Sequence, residues 1–115
     1  MKKAYHLSTC DTCKRILKEL NLSPDWKLQD IKTEKITLEQ LEEMRNLTDS
    51  YESLLNKRAR KLSEYKGQEL SEEKLKSMIL EEYTFLKRPV FLYNNEIFVG
   101  NAKKTIESLK TKLGA

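Results

Sequence analysis

Across residues 3–7 Tyr5 and Leu7 fall at alternating positions and run into Ser8-Thr9, a pattern that predicts a short first strand ending in a turn. Cys13, Ile16, Leu17 and Leu20 then recur at helical spacing, while Lys14, Arg15, Lys18 and Glu19 fill the other face. Asn21 and Ser23-Pro24 end that helix, which places Cys10 and Asp11 at its N-terminus. Trp26, Leu28 and Asp30 alternate with Lys27 and Gln29, predicting a second strand.

Thr37 with Gln40 three residues on has the form of a capping box, and Leu38, Leu41 and Met44 continue the face of the helix it opens. Periodicity weakens over residues 46–67, where Leu54-Leu55 and the basic run Lys57-Arg58-Ala59-Arg60-Lys61 predict short helices and an exposed loop. Ser71-Glu72-Glu73 sets acidic residues at the positive end of a further helix, whose buried side is Leu75, Met78 and Ile79. Two β-prone runs, residues 90–93 and 97–99, flank Asn94-Asn95-Glu96, and paired asparagines tolerate the positive φ of a tight hairpin turn. Gly100-Asn101 leads into a last helix with Ile106, Leu109 and Leu113 inward and Gly114 at its end. The alternation of strands and helices predicts an α/β fold.

A chain of 115 residues, 38% of them hydrophobic, can close one core but not two, so a single domain is expected. No apolar stretch reaches the length of a signal peptide or a membrane span, so the cytoplasm is the expected compartment and no membrane is expected as a partner. The 22 basic residues are interleaved with 18 acidic ones, which argues against nucleic acid as a partner and for a basic pocket that takes a small anion.

The two cysteines, Cys10 and Cys13, are too close in sequence to staple a fold, so any pairing between them is chemical rather than structural. At a helix N-terminus Cys10 would face unpaired N–H groups, with Lys14 and Arg15 adding positive charge, and both effects favour the thiolate that nucleophilic chemistry requires. Cys13 could then attack a mixed disulfide formed at Cys10. Two other readings exist. Half of a zinc site would leave only His6 as a further soft donor, short of the usual four ligands, so no metal is expected; two inert buried thiols is the other. A Cys-x-x-Cys pair that follows a first strand and opens a helix is the thioredoxin-like arrangement.

Tyr5-His6, Cys10-Asp11-Thr12-Cys13-Lys14, Leu54-Leu55-Asn56-Lys57-Arg58 and Lys87-Arg88-Pro89-Val90, in this order and spacing, resemble the ArsC/Spx family. That family takes in glutaredoxin-dependent arsenate reductases, the Spx transcription regulators and a group of uncharacterised reductase-like proteins. The resemblance implies a thioredoxin-like α/β fold with a four-stranded mixed sheet flanked by helices, forming one domain over residues 1–115 with a helical insertion at about residues 34–82. It also implies that Cys10 is the catalytic cysteine, that His6 lies near its thiolate, and that Arg88 binds an anion just before a cis Pro89 facing the cysteine. Arg58 matches a basic position of the reductase-like members, and Thr12 and Lys14 belong to the stretch that holds the thiolate or an anion.

The departures bear on the substrate. Asn56 stands where the arsenate reductases carry the first arginine of an Arg-Lys-Asn stretch, and Gly100 where they carry an arginine after the hairpin. Two of their three oxyanion-binding arginines thus have no counterpart, which argues against arsenate, because a doubly charged oxyanion leaving water needs matching positive charge. The Cys-x-x-Cys pair and Val99-Gly100 are more similar to Spx, whose paired cysteines form a redox switch, but Ser50 stands where Spx has a glycine at its RNA polymerase contact; Cys10-Asp11-Thr12, Lys14 and Leu54-Leu55-Asn56-Lys57-Arg58 most resemble the uncharacterised reductase-like branch. The expected function is a thiol-dependent oxidoreductase with Cys10 as nucleophile, Cys13 as resolving thiol and Arg88 stabilising charge. No bound cofactor is expected; glutathione is a candidate thiol co-substrate, and glutaredoxin or thioredoxin a candidate partner. The alternative is an Spx-type redox sensor that binds RNA polymerase.

Overall fold

The alternation at the start of the chain becomes β1, Lys2–His6, and the helical spacing behind it becomes α1, Asp11–Leu20. Asn21 closes α1 in the left-handed region (φ 48°), its N–H donating to the Leu17 carbonyl at 3.2 Å. The computed structural model describes residues 1–114. Ala115, the last residue of the expected domain, lies outside them. By its contacts the chain forms two compact units, Met1–Glu34 with the chain from Arg88 onward, and Lys35–Lys87.

The first unit holds the sheet. β2 spans Lys27–Asp30, β3 Val90–Tyr93 and β4 Glu96–Val99, and α4 spans Lys103–Leu113. The four strands lie in the order β2-β1-β3-β4, with β1 parallel to β2, and β3 antiparallel to both β1 and β4. A βαβ start joined to a ββα end in this order is the thioredoxin-like arrangement. Asn94 (φ 49°) and Asn95 (φ 65°) form the hairpin turn, both in the conformation that the right-handed twist of the strands favours. Gly114 (φ 78°) ends α4.

On one sheet face Ala4, Phe91 and Phe98 lie in register across β1, β3 and β4, and the small Ala4 leaves room for the larger side chains beside it. Ile16 and Leu20 of α1, Ile106 and Leu109 of α4, and Trp26 close the core against them. The Trp26 ring meets Phe91 edge-on at 6.1 Å and stacks on Tyr93 at 5.7 Å. The burial of β2 departs from its apolar pattern: Leu28 is 52% exposed and Gln29 only 1%. Leu28 pairs with Ala4 on the outermost strand, beyond the reach of the core, whereas Gln29 shares a face with Tyr5 and donates its amide N–H to the Glu34 carbonyl at 3.0 Å.

In the second unit, α2 spans Leu38–Asn46 and α3 Glu72–Glu81, separated by 3-10 turns at Glu52–Leu54 and Arg60–Tyr65 and followed by one at Tyr83–Phe85. The capping box is formed as expected: Gln40 N–H donates to Thr37 Oγ1 (3.1 Å), and Thr37 N–H to Gln40 Oε1 (3.0 Å). Leu41 and Met44 are buried, but Leu38, in the first turn, is 43% exposed. No helix among the described residues is long and apolar enough to cross a membrane.

Glu72 fastens this unit. Its carboxylate accepts the N–H groups of Tyr51 (2.7 Å) and Glu52 (3.3 Å) and lies 3.8 Å from Arg45 Nε. Arg45 in turn donates to the Thr48 carbonyl at 2.9 Å and sits over the Tyr51 ring. Charge-assisted bonds to backbone are among the stronger kind, so Glu72→Ala is expected to cost about 1–2 kcal/mol and Glu72→Gln about half of that. Urea unfolding followed by circular dichroism checks this, as a lower midpoint at unchanged slope.

Candidate active site

Parallel strands deliver their following loops to the same end of a sheet, so the segments after β1 and β2 emerge side by side. The segment after β1 is a tight turn, in which Cys10 N–H donates to the Leu7 carbonyl at 3.0 Å and Ser8 N–H donates to Asp30 Oδ1 at 3.1 Å. Cys10 is the N-cap of α1, with extended backbone (φ −97°, ψ 112°), and its carbonyl accepts the Lys14 N–H at 3.1 Å. Its side chain is half-buried, while Cys13, one turn into the helix, is fully buried; both are free thiols.

The two sulfurs differ sharply in acidity. Burial pushes the Cys10 thiol up, but the backbone N–H and the thiol of Cys13, the Arg88 charge and the Thr12 N–H together outweigh it, and its pKa falls below the ordinary thiol value. Burial also pushes Cys13 up, to about 11, and this is reinforced by donation of its proton to the Cys10 sulfur and by the negative charge there; the Leu7 N–H and Arg88 oppose the rise only in part. One thiolate is therefore favoured at Cys10, held by a helix N-terminus, a neighbouring S–H donor and one guanidinium.

Arg88 is half-buried and joined to Pro89 by a cis peptide bond. Thr12 contributes its backbone N–H rather than its side chain. Lys14 is exposed on α1 and Asp11 is exposed at its first position. His6, half-buried at the end of β1, is paired in register with Asp30, and the charge it meets is that of the Asp30 carboxylate. Cys10, Cys13, Thr12 and Arg88 thus come together. Arg58 belongs to the Lys35–Lys87 unit, exposed on the turn that Asn56 organises by accepting the Arg58 N–H at 3.1 Å.

Sequence reasoning missed Asp30 as a site residue. Its carboxyl is pulled down to about 2 by the Ser8 hydroxyl, against the cost of desolvation, with the Ser8 and Lys32 N–H groups and the His6 charge adding to the effect. The available signal was positional: an acidic residue closing the second strand of a parallel pair lies beside the loop that leaves the first.

A model of the ArsC family matches residues 5–109. Among solved structures, an arsenate reductase from Vibrio cholerae superposes with a TM-score of 0.77 at 15% identity, covering 95% of each chain. A protein of Bacteroides fragilis related to the ArsC family gives 0.75 at 21%, covering 94% of this chain and 97% of that one. An arsenate reductase related protein from Brucella melitensis gives 0.65 at 20%, covering 93% and 92%. At such identities the likeness is one of fold. No curated protein matches the sequence.

Proposed function

The chain belongs to the ArsC family, and on that basis we propose that it is a thiol-dependent oxidoreductase in which Cys10 is the attacking nucleophile. The observation that carries this reading is the convergence on one half-buried sulfur of the first turn of α1, the Cys13 S–H and the Arg88 charge. With a disulfide substrate, the Cys10 thiolate forms a bond to one substrate sulfur as the substrate S–S bond breaks, and the departing thiolate takes up a proton. The helix N-terminus and Arg88 stabilise negative charge as it shifts between sulfurs.

Two routes release the second half of the substrate. Once Cys10 is in a mixed disulfide its negative charge is gone, and with it two of the influences that raise Cys13; burial still opposes the Cys13 thiolate. Cys13 then loses a proton and attacks the Cys10 sulfur, leaving a Cys10–Cys13 disulfide that two electrons from an external dithiol reduce. An external thiol such as glutathione competes with it by attacking the mixed disulfide directly. The small thiolate fraction that burial leaves at Cys13 favours the external route.

Arsenate is the weaker candidate substrate. Asn56, where an arginine would serve, commits its amide to the Thr84 carbonyl (3.2 Å) and its oxygen to the Arg58 N–H (3.1 Å). Gly100 has φ 90°, a conformation that disfavours an arginine side chain. The sensor alternative is weakened at Ser50, whose hydroxyl accepts the Ser53 N–H (3.1 Å) and whose carbonyl accepts the Ser53 hydroxyl (2.6 Å), a local role in shaping a 3-10 turn.

The test is reduction of a small mixed disulfide, and separately of arsenate, with glutathione and glutaredoxin or with thioredoxin as donor. Turnover of the disulfide is expected, with Cys13→Ser keeping activity within about tenfold in the glutathione system while losing more with thioredoxin. Absence of turnover with every oxidant, together with capture of RNA polymerase only by the oxidised protein, would overturn the enzyme reading in favour of the sensor.

A further inference from the structure

We propose that Asp30 is the positioning residue for Cys10: its carboxylate clamps the peptide between Leu7 and Ser8, and through that peptide it fixes the turn that sets the Cys10 sulfur over the start of α1. This rests on the reading of Cys10 as the reactive thiol.

The clamp acts on one planar group. The Leu7 carbonyl and the Ser8 N–H belong to the same rigid peptide unit. Its oxygen accepts the Cys10 N–H at 3.0 Å, and its N–H donates to Asp30 Oδ1 at 3.1 Å. The peptide cannot rotate without breaking one of these bonds, and rotation would carry the Cys10 backbone away from the helix N-terminus. The Leu7 N–H, at the other end of the same residue, is directed toward Cys13, so both sulfurs are referenced to this one stretch of chain.

Asp30 is itself held firmly enough to act as the fixed point. Its Oδ1 also accepts the Lys32 N–H (3.2 Å), its Oδ2 accepts the Thr33 hydroxyl (3.4 Å), and its carbonyl accepts the Glu34 N–H (2.8 Å). The following residue continues the strand pairing, Ile31 N–H donating to the His6 carbonyl at 2.9 Å. The charges that act on the pair include His6 on β1 for Asp30, and Cys13 on α1 and Arg88 ahead of β3 for Cys10; Asp11, at the first position of α1, and Lys32, after β2, are exposed. With its carboxyl held down to about 2, Asp30 is charged throughout the range in which a thiol works, and bonds to an ionised acceptor are the stronger kind.

A merely structural Asp30 would change the melting temperature and leave the acidity of Cys10 alone. The test is therefore the rate of Cys10 alkylation by iodoacetamide as a function of pH on the full chain, with mass spectrometry identifying the alkylated residue. Asp30→Ala is expected to raise the midpoint by about one pH unit, a tenfold loss of thiolate below it. Asp30→Asn keeps an Oδ1 acceptor for Ser8 and Lys32 but loses the charge that strengthens those bonds, and is expected to move the midpoint less than half as far as Ala. Asp30→Glu keeps the charge but displaces it by a methylene and is expected to raise the midpoint by about half a unit. A folded Asp30→Ala protein with an unmoved midpoint overturns the proposal, as does an Asn variant that moves as far as Ala. If Asp30→Ala does not fold, an unmoved midpoint in folded Asp30→Glu overturns it instead. A depressed parent midpoint without turnover of any oxidant removes the reductase reading and leaves the clamp standing; an ordinary parent midpoint removes both.

Discussion

Replacing Cys10 with serine is expected to lower thiol-dependent turnover by about a thousandfold or more, because a hydroxyl in that place has neither the acidity nor the sulfur chemistry to form a mixed disulfide. The fold is expected to survive, and even to gain. Cys10 is the N-cap of α1, with the Thr12 and Cys13 N–H groups turned toward its sulfur, and serine, whose oxygen is the stronger acceptor, is among the preferred residues there. Its hydroxyl can accept the N–H of Thr12 or Cys13, worth about 0.5–1 kcal/mol to the helix. Turnover measured beside a thermal melt gives both quantities from one sample. Residual activity within tenfold of the parent would mean that the chemistry lies elsewhere, and a collapsed melt would mean that the sulfur is needed for folding.

Arg88→Met carries the second largest expectation. The guanidinium is a cation among the groups that lower the Cys10 pKa, and methionine replaces its length without its charge. The folded-state pKa of an acid rises when a stabilising cation is removed, so the thiolate fraction at pH 7 falls and alkylation slows by about tenfold. Arg88→Lys is expected to restore most of the acidity and little of any affinity for a planar oxyanion, since lysine supplies charge without the fork of donors. Raising the salt concentration is expected to narrow the gap between the parent and the methionine variant, although a half-buried pair is screened less than an exposed one. Superimposable pH–rate profiles for the parent and the Arg88→Met protein would remove Arg88 from the account of the thiolate.

Much of this site is legible in the sequence. Helical spacing alone put Cys10 at the start of a helix and Cys13 on its buried side, and the Asn94-Asn95 pair announced the hairpin that follows Arg88-Pro89. What stayed hidden depends on distance in space rather than along the chain. Leu28 and Gln29 exchange the burial that their polarity suggests, since a side chain on the last strand of a sheet is covered only if something reaches it, and alternation along β2 carries no information about that. Asp30 stayed hidden for the same reason: its partner Ser8 is 22 residues away in sequence, and only the parallel pairing of β1 with β2 brings them together. Asn56 shows a subtler limit, because its identity reveals a missing charge but not that both ends of its amide are occupied within its own unit.

The complete burial of Cys13 beside a half-exposed Cys10 governs stoichiometry. To a bulky electrophile arriving from water, the native molecule presents a single equivalent of sulfur. It becomes a two-sulfur reagent only for a group already attached to Cys10, so its valence as a reductant is decided by what it has bound and not by what surrounds it.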